Sequence, residues 1–242
     1  MYAAESGNVE TVKLLIELGA NIEAKDNGEN TVLMHAARGG NVETVKLLME
    51  LGANVNNKDG YGKTALMYAA EKGKIETMKL LIEKGAGIKV ADKNGITALM
   101  YAEFSSDVEA VKLLIEKGAN VNEKSKDGET VLIFAARFGK TEIMKLLIEK
   151  GANINDKSRD GSTALIYAAI DGDAEIMKLL IEKGANVNDK DIIGRTALLL
   201  AAERDKTEIM KLLIEKEADI SDKDKYGKTA LMYAAACGNV EA

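Results

Sequence analysis

The side chains best suited to covalent or metal chemistry are few in this sequence. His35 is its one histidine and Cys237 its one cysteine among 242 residues. A nucleophile needs a neighbouring base and a zinc site needs several such ligands, so these two residues do not make up either site. Carboxylates recur beside lysines, as in Lys79 and Glu83, which indicates solvated helix faces. The glycines are single and periodic, which does not fit a phosphate loop. We therefore predict no catalytic residues, no metal ligands and no cofactor.

A series of large side chains is suited to packing or to contact with another molecule. One residue lies four positions after each copy of a repeated threonine, and Tyr2 is placed in the same series by its match to the next repeat. Most members of the series are aromatic. We call this series the ladder: Tyr2, His35, Tyr68, Tyr101, Phe134, Tyr167, Leu200 and Tyr233. A position that repeats nearly unchanged favours packing between repeats, and contact with a partner is the alternative.

The positions beside the ladder vary, and apolar residues at variable positions are candidate anchors for a partner. Phe104, Phe138 and Ile170 stand where other repeats carry charged residues. Aromatic side chains and arginine dominate binding hot spots. The alternative is that one or two of these residues pack against a neighbouring helix. The predicted partner-binding residues are Tyr68, Tyr101, Phe104, Arg137, Phe138, Tyr167, Ile170, Ile192 and Ile193.

The spacing of these positions is set by a period of 33 residues. The triplet Thr-Ala-Leu, or Thr-Val-Leu, recurs without insertions. Its threonines are Thr31, Thr64, Thr97, Thr130, Thr163, Thr196 and Thr229. A fixed period of this length is typical of a stacked array in which each repeat touches only its neighbours.

Each repeat carries the signals of one turn and two helices. In the segment Asp59-Gly60-Tyr61-Gly62, Asp and Gly favour a tight turn. Thr64 is placed to cap a short helix over 65–72, which Gly73 ends. A second apolar periodicity predicts a helix over 75–84. Neither helix is long enough to be stable alone, so packing between repeats must supply the stability.

The segment Thr64-Ala65-Leu66-Met67-Tyr68-Ala69-Ala70 resembles the Thr-Pro-Leu-His-x-Ala-Ala signature of the ankyrin repeat. Six full copies over 28–225 are flanked by partial copies at 1–27 and 226–242. The resemblance implies an all-α solenoid of helix-turn-helix units with projecting β-turn fingers and a concave groove lined by the ladder side. We expect one array over 1–242, and we expect it to be a fragment of a longer protein.

The chain departs from the family pattern in two ways. It contains no proline, and the signature histidine is replaced by apolar residues such as Met67, so we expect fewer hydrogen bonds between repeats and more apolar contact. Ser106, Asp205 and Glu217 replace glycines that end helices. A residue with a Cβ is strained in the left-handed region that such ends adopt. The seventh repeat, which has two of these replacements, is predicted to be the weakest.

The resemblance implies that the groove and finger turns bind another protein or peptide without chemistry. Two alternatives stay open: a structural spacer in a long array, and the interaction module of a larger protein whose activity lies outside this chain. The net charge of −6, with no basic stripe, argues against nucleic acid. No apolar run has the length of a membrane span. A single cysteine favours a reducing, cytoplasmic compartment.

Apolar residues also lie at both ends of the sequence. Val12, Leu15 and Ile16 belong to the first copy, and Leu231 and Ala234 belong to the last. Stacking one repeat on the next buries such residues inside an array. We therefore predict weak head-to-tail self-association through the two ends.

Overall fold

A computed structural model describes residues 1–236, which form fifteen helices in two compact halves. The N-terminal half, Met1–Lys126, contains α1 (Tyr2–Glu5), α2 (Val9–Glu17), α3 (Val32–Gly39), α4 (Val42–Glu50), α5 (Ala65–Glu71), α6 (Ile75–Glu83), α7 (Ala98–Ser105) and α8 (Val108–Glu116). The C-terminal half, which begins at Asp127, contains α9 (Val131–Arg137), α10 (Thr141–Glu149), α11 (Ala164–Asp171), α12 (Ala174–Glu182), α13 (Ala197–Glu203), α14 (Thr207–Glu215) and α15 (Ala230–Ala236). Within this range the only β pairing consists of isolated bridges, and no described helix is long and apolar enough to cross a membrane.

The repeated threonine caps the first helix of every repeat after the first, as predicted. The Thr64 hydroxyl accepts a hydrogen bond from the Met67 backbone N–H, and the Thr64 N–H points to the Met67 sulfur, both at 3.4 Å. The methionine at the signature histidine position therefore completes a capping box with a weak sulfur acceptor. The first and second helices of this repeat each end one residue earlier than predicted, because Lys72 and Lys84 adopt the C-cap conformation.

Small residues allow the first helices to pack closely in each half. Ala69 and Ala70 of α5 are fully buried, and α5 contacts both α3 and α7. The second helices cover this layer through side chains such as Met78 and Leu81 of α6, which are also fully buried. The core of each half therefore lies between two layers of helices, and it fixes the direction in which the ladder side chains point.

The finger turns are joined by one backbone hydrogen bond between successive tips. The Lys93 N–H donates to the Tyr61 carbonyl at 2.9 Å, and the Ile192 N–H donates to the Asp160 carbonyl at the same distance. Gly161 has φ of +78°, and a Cβ on it would lie 2.8 Å from the Ile192 nitrogen. The close approach of these turns therefore requires glycine at this position.

An aspartate ties each of several finger turns to the ladder. Asp59 Oδ1 accepts from the N–H groups of Tyr61 and Lys63, both at 2.8 Å, and Oδ2 accepts from the Tyr68 hydroxyl at 2.6 Å. Burial and this bond raise the pKa of Tyr68 well above its usual range. The hydrogen bond between Tyr233 and Asp224 likewise raises the pKa of that tyrosine to about 12. One carboxylate thus fixes both the turn and the ring.

His35 takes the tyrosine position in the second repeat. Its Nε2 lies 3.0 Å from Asp26 Oδ2, and its Nδ1 lies 3.3 Å from Glu5 Oε2. A neutral imidazole carries one N–H, so both contacts are hydrogen bonds only in the protonated ring. The single histidine therefore serves as a rung of the ladder that also links α3 to α1.

The three replaced helix-ending glycines keep the glycine conformation. Ser106, Asp205 and Glu217 have φ values of 59°, 55° and 65°. The expected strain at these positions is therefore present in the backbone, and no alternative cap has formed there.

Replacing Glu217 by glycine is expected to stabilise the seventh repeat. The substitution removes a left-handed strain of about 1 kcal/mol, and the greater freedom of the unfolded chain offsets part of this gain. We expect the thermal midpoint to rise by about 2 °C in circular dichroism. Lys216→Gly is the matched control, because Lys216 has φ of −101°, and it should lower the midpoint. An unchanged or lower midpoint for Glu217→Gly would contradict the assignment of strain.

The bond between Asp26 and His35 is expected to make stability depend on pH in acid. This bond is the largest cause that lowers the pKa of Asp26 to about 2, whereas an unfolded Asp titrates near 3.9. The stabilisation is therefore fully present above the unfolded value and is lost as the pH falls through about 2. Asp26→Asn should cost about 1 kcal/mol near pH 5, and urea unfolding should show the two proteins converging towards pH 2. A difference between them that does not change with pH would contradict the prediction.

Candidate functional site

We call the surface formed by three positions of each repeat the ladder face. These positions are the residue before the repeated threonine and the residues four and seven positions after it. They are brought together because the finger turn folds back beside the first helix. Each half of the chain carries its own ladder face.

The first and last of these positions form complementary pairs in several repeats. Lys63 pairs with Glu71 and Glu129 with Arg137, and Arg195 lies 3.6 Å from Glu203. Sequence reasoning missed this pairing, although the opposite charges at a spacing of eight residues were a visible signal. In the fourth repeat the same two positions hold Ile96 and Phe104, so this pair is apolar.

In the N-terminal half, cations and rings alternate along the ladder face. The Lys63 ammonium lies 4.4 Å from the centre of the Tyr68 ring and 4.1 Å from that of Tyr101. The Arg38 guanidinium lies 4.6 Å from the Tyr68 ring. Phe104 packs against Tyr101 at a centroid distance of 6.2 Å. Cation–π contacts of this kind hold the rings in place and shield the ammonium from water.

The predicted contact residues of this half differ greatly in exposure. Tyr68 is 6% exposed, which agrees with the packing alternative for the ladder, and Tyr101 is half-buried. Phe104 is 47% exposed. Of the three predicted contact residues in this half, Phe104 is therefore the most exposed, and it lies at the edge of the series of rings.

In the C-terminal half, Arg137 is the centre of the ladder face. It pairs with Glu129, donates to the Tyr167 hydroxyl at 2.6 Å and stacks 4.4 Å from the centre of that ring. Burial raises the pKa of Glu129, although Arg137 opposes this shift. Burial also disfavours the charge on Arg137, but the Tyr167 and Glu129 contacts outweigh it and raise the pKa of the guanidinium. Arg137 therefore stays charged and fixed in direction.

A cavity of about 400 Å³ lies beside this arginine. Its walls come from the first helices α9 and α11 and from three finger turns. It is lined by Asp127, Glu129, Arg137, Ser158, Arg159, Asp160, Tyr167 and Ile192. Three carboxylates and two guanidinium groups face a tyrosine and an isoleucine, so the site is suited to a ligand that combines polar groups with a short apolar chain.

The cavity occurs where a serine replaces the finger aspartate. Ser158 occupies the position that Asp59 holds in the third repeat, and its hydroxyl bonds to Asp160 Oδ1 and to the Ser162 carbonyl. Partial burial disfavours the Asp160 charge, but hydrogen bonds from Ser158 and Ser162 lower the pKa of the carboxyl below its usual value. The carboxylate has therefore moved two residues along the chain, to the exposed tip of the turn.

The structure brings together part of the predicted set in this half. Arg137, Tyr167 and Ile192 line the cavity, whereas Phe138 is 46% exposed outside its lining and Ile170 is half-buried. Ile193, the other predicted residue of that finger turn, is also half-buried and outside the lining. Sequence reasoning singled out neither Ser158 nor Asp160 as a determinant of a cavity. Cys237 lies outside the described residues, among which no cluster of possible metal ligands occurs.

A search of curated proteins found no match to the chain. A family model described as ankyrin repeats (3 copies) matches residues 1–59, 52–125, 108–191 and 189–242, so its matches run the whole length of the sequence. The paired helices, the capping threonines and the finger turns agree with this match. The chain therefore belongs to the ankyrin repeat family and folds as an all-α repeat solenoid.

Proposed function

We propose that this chain is a scaffold that binds a protein or peptide on its ladder face and finger turns, without chemistry of its own. Ankyrin repeats are generally protein–protein interaction modules, and the family is typically non-catalytic. The observation that carries the proposal is the exposure of large apolar side chains beside fixed cations. Phe104, Phe138 and Ile192 are each about half exposed at positions that other repeats fill with other residue types.

Such residues are suited to anchoring a partner because the groups around them are already ordered. Arg137 is held by Glu129 and Tyr167, so little side-chain freedom is lost when a partner covers it. The charges of the ladder face alternate in sign, which fits a polypeptide better than a phosphate backbone. The groove and finger turns therefore support a protein partner over nucleic acid.

A spacer role is the second candidate, and the loops between repeats favour it. Asn56 Oδ1 accepts from the Gly87 N–H at 2.9 Å, while its amide donates to the Gly85 carbonyl at 3.2 Å. Asn188 makes the same two bonds to Asp219 and Glu217. These side chains clamp successive repeats together within each half. A stiff array of this kind also suits the interaction module of a larger protein whose activity lies elsewhere. In either role, we propose that residues 1–242 make up one array.

We also propose weak head-to-tail association between copies of this chain. Leu231 is 73% exposed, whereas Leu198, its counterpart one repeat earlier, is 1% exposed beneath the following helix. In the first repeat, Val12, Leu15 and Ile16 line an apolar cavity of about 190 Å³. The two faces are those that neighbouring repeats bury against each other, so a second copy is suited to cover them.

Replacing Phe138 by alanine is expected to weaken partner binding by about 2 kcal/mol, since a half-exposed aromatic anchor loses its contact area. The whole chain serves as bait in a pull-down with mass spectrometry, and calorimetry then measures the affinity of the captured protein for each variant. Lys145→Ala is the control, because Lys145 contacts only exposed carboxylates on the second-helix side. Equal losses from both variants, or no loss from Phe138→Ala, would remove this site.

Replacing Leu231 by glutamate is expected to abolish the association between copies. Sedimentation velocity of the parent chain should show a coefficient that rises with concentration, because exposed apolar faces associate weakly. Leu51→Glu is the control, since Leu51 is an exposed leucine outside both end faces. A parent chain that stays monomeric at all concentrations would refute the proposal, as would equal effects of the two variants.

A further inference from the structure

We propose that the cavity in the C-terminal half receives a neutral carboxamide side chain, a glutamine or asparagine, from the bound partner. The inference rests on the proposed binding function and specifies what one site recognises. Four features of the cavity carry it: an unused hydroxyl hydrogen, two arginines that are each paired with a carboxylate, a third and exposed carboxylate, and an apolar wall.

The unused hydrogen belongs to Tyr167. In other repeats the ladder tyrosine donates its hydroxyl hydrogen to the finger aspartate: Tyr68 to Asp59 at 2.6 Å, Tyr101 to Asp92 at 2.8 Å and Tyr233 to Asp224 at 2.6 Å.

Tyr167 faces Ser158 instead of an aspartate. Its hydroxyl accepts from Arg137, and no group among residues 1–236 accepts the hydrogen of that hydroxyl. An oxygen atom brought into the cavity by a partner would take the place of the missing carboxylate.

The charges around the cavity argue against a charged ligand. Arg137 pairs with Glu129, and Arg159 lies 2.8 Å from Asp127. An incoming carboxylate would approach these acids and Asp160. An incoming ammonium or guanidinium group would approach both arginines, and it has no lone pair to accept from Tyr167.

A carboxamide satisfies both sides of the site without adding charge. Its oxygen accepts from the Tyr167 hydroxyl, and its NH₂ group donates to Asp160. The Ser158 and Ser162 bonds to Asp160 both go to Oδ1, so they leave Oδ2 for the ligand. Ile192, at the tip of the next finger turn, is 59% exposed and offers an apolar contact for the methylene groups. A cavity of about 400 Å³ has room for such a side chain and the backbone that carries it.

The probes are glutamine, glutamate and lysine, each blocked as the N-acetyl N-methylamide. They are titrated into the whole ¹⁵N-labelled chain at neutral pH, and the backbone amide signals of Asp160, Tyr167 and Ile192 are followed. We expect saturable shifts with the glutamine derivative. The glutamate and lysine derivatives should bind about threefold to tenfold more weakly, which corresponds to the loss of one hydrogen bond.

Two variants with precedents in the chain test the role of the hydroxyl. Tyr167→Phe should weaken glutamine binding by the same threefold to tenfold, and Phe134 shows that the ladder accepts phenylalanine. Ser158→Asp should abolish binding, because it restores the aspartate that accepts the tyrosine hydroxyl hydrogen in the third repeat. Lys145→Ala, on the second-helix side, is the control outside the cavity and should leave glutamine binding unchanged.

Tighter binding of the lysine or glutamate derivative, equal binding of all three, or no binding would overturn the inference. So would a Tyr167→Phe variant that binds glutamine as well as the parent chain does. The proposed scaffold function is tested separately, because its partner is captured by the whole chain and its affinity is measured with Phe138→Ala. If the affinity of the captured partner depends on Phe138 but not on Tyr167, the scaffold function is supported and only the carboxamide site is refuted.

Discussion

The buried carboxylate at the start of the finger turn is the interaction on which the ladder face depends. Asp59 holds the turn through two backbone N–H groups and holds the first helix through the Tyr68 hydroxyl. A buried carboxylate is tolerated only when such donors satisfy it. Because the ring is fixed in this way, Lys63 can lie between the rings of Tyr68 and Tyr101.

Exchanging one partner of this interaction changes the surface more than the fold. In the seventh repeat Leu200 replaces the tyrosine, and Asp191 instead accepts from Arg195 at 2.8 Å. In the sixth repeat Ser158 replaces the aspartate, and the cavity lies beside the released Tyr167. The backbone of the turn is kept in both cases, since Asp191 or Asp160 still accepts from turn N–H groups. Differences between repeats therefore arise where side chains meet and not where the backbone bends.

The sequence was sufficient for the features that local chemistry decides. The threonine caps, the positive φ of the helix-ending residues and the two helices of each repeat follow from a few adjacent residues. The ladder contacts did not follow, because they join residues nine positions or a whole repeat apart and depend on rotamers. Residue type also favoured Tyr68 as a binding residue, although its hydrogen bond to Asp59 keeps it buried. The opposite charges of Glu129 and Arg137 were visible in the sequence. The two side chains can pair only because the turn folds back beside the helix.

Internal satisfaction of the charges limits what a partner can gain from them. Breaking the pair of Arg137 and Glu129 would leave a largely buried carboxylate without its cation, which costs more than one new contact returns. A partner is therefore expected to contact Arg137 while the ion pair between Arg137 and Glu129 stays intact. Groups suited to this purpose include the exposed faces of Phe104, Phe138 and Ile192 and the hydroxyl hydrogen of Tyr167. We therefore expect the specificity of the proposed scaffold to come from the positions at which the repeats differ.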